Sequence, residues 1–226
     1  MASPIITIDG PSGSGKGTIS RLVADRLGWR LLDSGALYRL VAYAGQRRGL
    51  SPYDESGHAA IAQQLDVQFG LGPHGGEQIW LSGDEVSQRI RTEQAGEGAS
   101  RVAAMPTVRA ALLDRQRAFA GPPGLVADGR DMGTVIFPGA PLKIFLTANA
   151  EERARRRYNQ LKDKGLGANL AALSLEIAER DRRDASRALA PLRPADDAVI
   201  VDSTAMTIDA VVARVLELAA ARLPPG

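Results

Sequence analysis

Nine residues near the amino terminus, Gly10-Pro11-Ser12-Gly13-Ser14-Gly15-Lys16-Gly17-Thr18, follow directly on the apolar run Ile5-Ile6-Thr7-Ile8. No other segment restricts the fold as much. The glycines let the backbone turn its N–H groups inward around an anion, Lys16 adds a point charge, and a helix starting here adds its positive end. The pattern reads as a phosphate-binding loop between a buried strand and a helix, with Lys16 directed at β- and γ-phosphates. One position departs from the common form. The residue after the lysine is Gly17 rather than Ser or Thr, and Thr18 comes one place later. A hydroxyl–metal contact at the lysine-plus-one position is therefore impossible. A metal must lean on Thr18, on water or on an acid elsewhere.

The rest of the chain alternates apolar runs with helical stretches. Pro4 to Ile8, Trp29 to Leu32, Gly124 to Ala127, Leu142 to Leu146 and Ala198 to Val201 read as buried strands. Residues 16–27 read as a helix with Ile19, Leu22, Val23 and Leu27 on one face, and a second helix starts at Asp33-Ser34-Gly35. Strands separated by helices imply βαβ units and a parallel sheet. Residues 63–91 break the rhythm: short alternating runs around the turn-rich Gly72 to Gly76 predict a small antiparallel meander. Residues 101–119 read as a helix with Val102, Val108, Leu112 and Phe119 buried. Residues 150–190 read as an arginine-rich helical hairpin, interrupted at Lys164-Gly165-Leu166-Gly167 and suited to a mobile lid. The last helix runs from Ile208 to Arg222, before Pro224-Pro225.

Composition narrows the classes. The 226 residues suffice for one large domain with inserts. There is no cysteine, so disulfides and thiolate metal sites are excluded. No basic-then-apolar leader is read, and no apolar stretch approaches the roughly 18 residues of a membrane span. The expectation is a cytoplasmic protein. Net charge is only +2 although the pI is near 9.1, and all but four of the 28 basic residues are arginines, the side chain suited to forked contact with phosphate. His58 and His74 lie in no motif and read as surface residues.

Several further segments carry a family resemblance. These are Leu31-Leu32-Asp33-Ser34-Gly35 with Tyr38-Arg39, Ile90-Arg91-Thr92, Asp128-Gly129-Arg130-Asp131-Met132-Gly133-Thr134, and Glu179-Arg180-Asp181 with Asp184, Ser186 and Arg187. With the loop at 10–18 they resemble the nucleoside monophosphate kinases, and among these the bacterial cytidylate kinases, over nearly the whole chain. The resemblance implies an α/β P-loop kinase. Its five-stranded parallel sheet would be flanked by helices, with an antiparallel insert in a monophosphate-binding region (residues 34–100) and a lid (about 151–190). The remaining stretches, 1–33, 101–150 and 191–226, would form the core of one domain.

The implied reaction transfers the γ-phosphoryl group of ATP to CMP or dCMP. The acceptor phosphate is already mostly a dianion at neutral pH, so positioning and charge neutralisation matter more than a general base. ATP would take Gly10 through Thr18. The resemblance places Ser34, Arg39, Arg130 and Arg187 near the CMP phosphate and sugar, with Tyr38 lining the pocket. Ser100, Arg109 and Asp131 match the positions that read cytosine, and Arg180 and Asp184, one turn apart, reach the ribose. Lys16, Arg130, Arg157 and Arg187 are the catalytic candidates, Arg157 arriving as the lid closes. Thr18 and Asp128 are the candidates for Mg²⁺, partly through water; Asp128 could equally cap a helix or pair with Arg130. Arg155, Arg182 and Arg183 read as solvated helix faces, with Glu151, Glu152, Glu176 and Glu179 as partners.

Two rivals remain open. One is a related kinase for UMP, AMP or another phosphate acceptor. The other is a nucleotide-gated or RNA-binding protein. Against the latter, no Asn-Lys-x-Asp motif occurs, aromatics are only 4% and are not interleaved with the arginines, and net charge is near zero. The expectation is thus a monomer binding small molecules, without nucleic acid or membrane as partner.

Overall fold

The structure, a computed structural model, describes residues 3–71, 77–163, 167 and 169–223. The turn Gly72 to Gly76 with His74, the residues Lys164 to Leu166 of the expected lid break, and Pro224-Pro225 lie outside the described residues. By its packing the chain divides into two compact units. One comprises residues up to Asp33 and those from Gln116 on; the other is Ser34–Arg115.

The first unit holds a parallel sheet of five strands: β1 (Ile5–Asp9), β2 (Arg30–Asp33), β6 (Leu125–Gly129), β7 (Leu142–Thr147) and β8 (Val199–Asp202), in the order β2-β6-β1-β7-β8. β1 and β6 are central and covered on both faces, which is why they read as continuous apolar runs rather than alternating ones. Helix α1 (Lys16–Leu27) packs Ile19, Val23 and Ala24 into the core. It stops at Gly28, whose φ of 65° closes the last turn in the left-handed region. Helix α8 (Ile208–Arg222) adds Val211, Val212, Val215 and Ala219 to the same core. Helices α6 (Ala150–Asp163) and α7 (Leu170–Ala185) form the charged hairpin, capped at their starts by Asn149 and Asn169.

Parallel register collects the strand ends. Asp33 stands opposite Asp128, and Asp9 opposite Gly129. The carboxyl edge of such a sheet is where open α/β folds receive ligands.

The second unit contains α2 (Ser34–Arg47), α3 (Glu55–Gln63), the antiparallel strands β3 (Val67–Leu71), β4 (Glu77–Leu81) and β5 (Asp84–Glu85), then α4 (Glu93–Val102) and all but the last two residues of α5 (Pro106–Arg117). The meander lies where the alternating pattern put it. The single helix expected over 101–119 is in fact two, because Pro106 cannot continue α4 and instead opens α5. Val102, Val108 and Leu112 are buried, whereas Phe119 is half-buried beyond the helix end. His58 also departs from expectation. It is 3% exposed, its Nδ1 lies 2.7 Å from the Asp54 carbonyl oxygen, and its ring packs so closely on Gly45 that a Cβ there would sit 2.4 Å from Nε2.

Candidate active site

In the first unit the glycine-rich loop leaves the end of β1 and runs into the first turn of α1. Gly13 and Gly15 have φ of 77° and 90°, conformations other residues rarely adopt. Gly10 is constrained by space: a Cβ there would lie 2.1 Å from the Leu146 carbonyl oxygen of β7. Because that neighbour is backbone, Gly10→Ala should lower the unfolding free energy by more than about 2 kcal/mol, read by urea denaturation. A variant as stable as the wild type would contradict the close approach.

Lys16 donates from Nζ to the Pro11 carbonyl oxygen at 3.1 Å. Burial pushes its pKa down to about 7, helped by the Arg130 charge, while Asp128 pulls the other way. Asp128, at the end of β6, shows the mirror image. Burial pushes its carboxyl up to about 7, Lys16 opposes this, and Asp33 and Asp9 add like charge. Its Oδ1 is enclosed without a hydrogen-bond partner. Its Oδ2 lies 3.3 Å from where a Cβ on Gly17 would stand, so the glycine at this loop position leaves the carboxylate room. Thr18 follows on the exposed side of α1. An orphaned carboxylate oxygen beside the phosphate loop fits a hard oxygen-seeking cation. Among the described residues no cluster of three His, Cys, Asp or Glu could hold a metal by itself, so any such ion would share its shell with substrate oxygens and water.

Asp9 is a residue the sequence reading passed over. Its carboxylate accepts from the N–H groups of Met132 and Gly133, both at 2.8 Å, and so caps a wide π-type turn over Met132–Ile136. Burial raises its pKa to about 7 despite those two bonds. The only hint in the sequence is a carboxylate closing an otherwise apolar strand.

These shifts set a pH dependence. Asp9 and Asp128 hold protons in the folded state up to about pH 7, whereas unfolded they release them near the ordinary carboxyl value of 3.8. Stability they contribute below pH 4 is lost as pH rises through 7. The lowered carboxylates, Asp184 among them, are ionised in both states above about pH 5 and add no slope there. Unfolding free energy of the nucleotide-free protein should therefore fall from pH 5 to 7, by at most about 1.4 kcal/mol per pH unit for each group. Urea titrations at pH 5, 6 and 7 check this, and Asp128→Asn should flatten the fall. Stability that rises over this range would refute it.

On α7, Asp184 is 1% exposed and accepts from Arg130 Nε at 3.0 Å on Oδ2 and from Arg187 Nη2 on Oδ1. Burial alone would raise its pKa; the charges of Arg130 and Arg187 outweigh burial and hold it below the usual value. Arg180 lies one turn before it, and its charge, with those of Arg130 and Asp184, reaches Lys16. The structure thus gathers Lys16, Asp128, Arg130, Arg180, Asp184 and Arg187 into one electrostatic neighbourhood. Asp131 is buried beside Arg130 at the start of the π-type turn. Arg157 donates to Gln160 along its own helix. Arg155 pairs with Glu152 and Arg183 with Glu179, the helix-face pairings expected of them.

In the second unit Ser34, Tyr38 and Ser100 are buried. Arg39 donates to the Ile90 carbonyl oxygen at 3.2 Å, which ties α2 to the short turn at Arg89–Arg91. Arg109 donates to the Tyr38 hydroxyl and the Ala103 carbonyl oxygen, each at 3.4 Å.

The family profile for cytidylate kinase matches residues 6–221. The chain belongs to the cytidylate kinase family. The cytidylate kinase of Pseudomonas aeruginosa strain LESB58 is 62% identical over 217 residues, covering 95% of this chain and 94% of its own. That of Azotobacter vinelandii is 60% identical, covering 96% of each chain. That of Pseudomonas syringae pv. tomato is 59% identical, covering 98% of this chain and 97% of its own. Among solved structures, shikimate kinase from Acinetobacter baumannii superposes with a TM-score of 0.50 at 14% identity, over 99% of this chain and 96% of that one. This similarity concerns the P-loop kinase fold alone. Among the described residues no helix is long and apolar enough to cross a membrane.

Proposed function

We propose that this cytidylate kinase family member transfers the γ-phosphoryl group of ATP to the phosphate of CMP and dCMP, releasing ADP and the diphosphates. The observation that carries the reading is the buried Arg130–Asp184–Arg187 group within the same unit as the phosphate loop. One carboxylate holds two guanidinium groups side by side, and guanidinium is the side chain whose planar fork matches phosphate oxygens.

In this reading ATP takes Gly10, Pro11, Ser12, Gly13, Ser14, Gly15, Lys16, Gly17 and Thr18, whose N–H groups and ammonium meet its phosphates. The triphosphate brings anionic oxygens to an ammonium whose pKa burial lowers to about 7. Thr18 and Asp128 would hold Mg²⁺, partly through water, and the ion would neutralise phosphate charge when bound. Arg130 and Arg187 grip the acceptor phosphate, Arg180 and Asp184 meet the ribose, and Asp131 accepts from the cytosine 4-amino group. The same reading assigns Ser34, Tyr38 and Arg39 to phosphate and sugar, and Ser100 and Arg109 to the base. Uracil would set its O4 against Asp131, two acceptors without a proton, at about 1–3 kcal/mol for each group left unpaired. The α6–α7 hairpin acts as lid and brings Arg157 to the transferred group. The enzyme works as a cytoplasmic monomer. Chemistry is in-line displacement driven by positioning and fixed charge.

A coupled ADP-release assay with CMP, dCMP, UMP and AMP as acceptors, with and without Mg²⁺, tests this. Turnover should be fastest with CMP and dCMP and should require the metal. Preference for UMP or AMP would overturn the cytosine assignment.

A further inference from the structure

Helix α6 presents arginines to the phosphate loop, but two of them grasp its carbonyl groups. Arg153 is 6% exposed and donates three ways: Nε to the Ala148 carbonyl oxygen at 3.1 Å, Nη1 to the Ser12 carbonyl oxygen at 3.0 Å, and Nη2 to Asp181 Oδ2 at 2.5 Å. Gly13 lies so near that a Cβ there would be 3.0 Å from Arg153 Cβ. Arg156 donates to the Ser14 carbonyl oxygen at 3.1 Å and to Ser203 beyond β8. A loop that turns its N–H groups inward must turn carbonyl groups outward, and those need donors. Arg153 and Arg156 supply them.

Asp181 is the informative partner. It sits on α7 between Arg180 and, three residues on, Asp184. A helix is stiff over one turn, so a contact that fixes Asp181 also fixes where Arg180 and Asp184 stand. The same guanidinium therefore touches the donor loop at Ser12 and the acceptor-bearing helix at Asp181.

We propose that Arg153 is a positioning residue that joins the phosphate loop to α7, so that a donor nucleotide on the loop strengthens CMP binding through the Ser12–Arg153–Asp181 contacts. The inference rests on the function proposed above. Arg153 touches no substrate in this role. A triphosphate on the loop sharpens its inward N–H arrangement, the Ser12 carbonyl holds Arg153 more firmly, and Asp181 and its neighbours on α7 lose freedom that CMP would otherwise have to remove. Linkage makes the effect reciprocal, so CMP must raise affinity for the donor by the same factor.

Calorimetric titration of CMP, with and without a hydrolysis-resistant imido analogue of ATP, decides the matter. The wild type should bind CMP about five- to a hundredfold more tightly with the analogue present. Asp181→Asn keeps the shape of the carboxylate but weakens its hold on Arg153. It should cut that ratio at least about threefold while leaving CMP affinity of the nucleotide-free protein within about twofold. Arg153→Met should abolish the ratio; if it does not fold, Asp181→Asn decides alone. A merely structural role would weaken CMP binding equally in both conditions and leave the ratio intact, which would overturn the proposal. A wild-type ratio of one would do the same. No CMP binding in either condition would overturn the proposed function as well, whereas binding without coupling counts against this inference only.

Discussion

Lys16→Met should lower kcat by about 10²–10³, a loss of about 3–4 kcal/mol of transition-state stabilisation, while the protein stays at least as stable as the wild type. The two halves of this expectation have one cause. In the nucleotide-free protein the ammonium is desolvated and beside the Arg130 charge, so that its pKa falls to about 7. The fold bears the cost of that charge and regains it only when phosphate oxygens arrive. Methionine keeps the length of the stem and removes the charge, which for a buried ion is often neutral or stabilising. The same desolvation makes the ammonium effective on developing charge between the β- and γ-phosphates. Single-turnover kinetics and urea denaturation on one preparation check both halves. Unchanged kcat would remove Lys16 from the chemistry, and marked destabilisation would mean that its bond to the Pro11 carbonyl oxygen matters more than its charge costs.

Asp184→Ala should be damaging in a different way. The carboxylate is the shared acceptor of Arg130 and Arg187 and is almost wholly enclosed. Removing it takes from two guanidinium groups the carboxylate they share, a change that typically costs about 3–5 kcal/mol when a buried pair is broken. Stability should fall by that order, and KM for CMP should rise about a hundredfold or more as the two arginines splay, since about 2.7 kcal/mol corresponds to a factor of a hundred. KM for ATP should move far less, because the two guanidinium groups that Asp184 holds are the ones assigned to the acceptor. Inorganic phosphate should restore part of the lost stability by taking the vacated place. Equal losses in the two KM values would show that the group supports the unit as a whole and not the acceptor alone.

Much of this molecule was legible in its sequence, for reasons that differ by element. The loop at Gly10 to Thr18 could be read because its function is performed by backbone, and backbone conformation leaves glycines in the sequence. The central strands β1 and β6 were legible because strands covered on both faces must be continuously apolar. The Arg155 and Arg183 pairings were legible because helical spacing alone sets them. The break between α4 and α5 was also written in the chain, at Pro106, and was passed over in favour of the flanking helical pattern. His58 was not legible. A lone histidine says nothing of its depth, and the space for its ring is made by Gly45, thirteen residues earlier on another helix.

The least legible residues are those that act through contacts distant in the chain. Asp9 caps a turn that starts 123 residues later. Arg153 reaches Ser12 across 141 residues, and Arg156 reaches Ser14 across 142. In an arginine-rich helix nothing local separates these two from Arg155, which faces solvent. Sequence alone settled the residue types at the loop, the periodicities and the inventory of charges, because these depend on neighbours a few positions away. Tertiary structure alone decided which carboxylates share the end of the sheet, which arginines serve the loop rather than solvent, and that Asp184 holds Arg130 and Arg187 together. Those outcomes depend on burial and on Coulomb energy between groups far apart in the chain, and both act only once the strands have been brought into register.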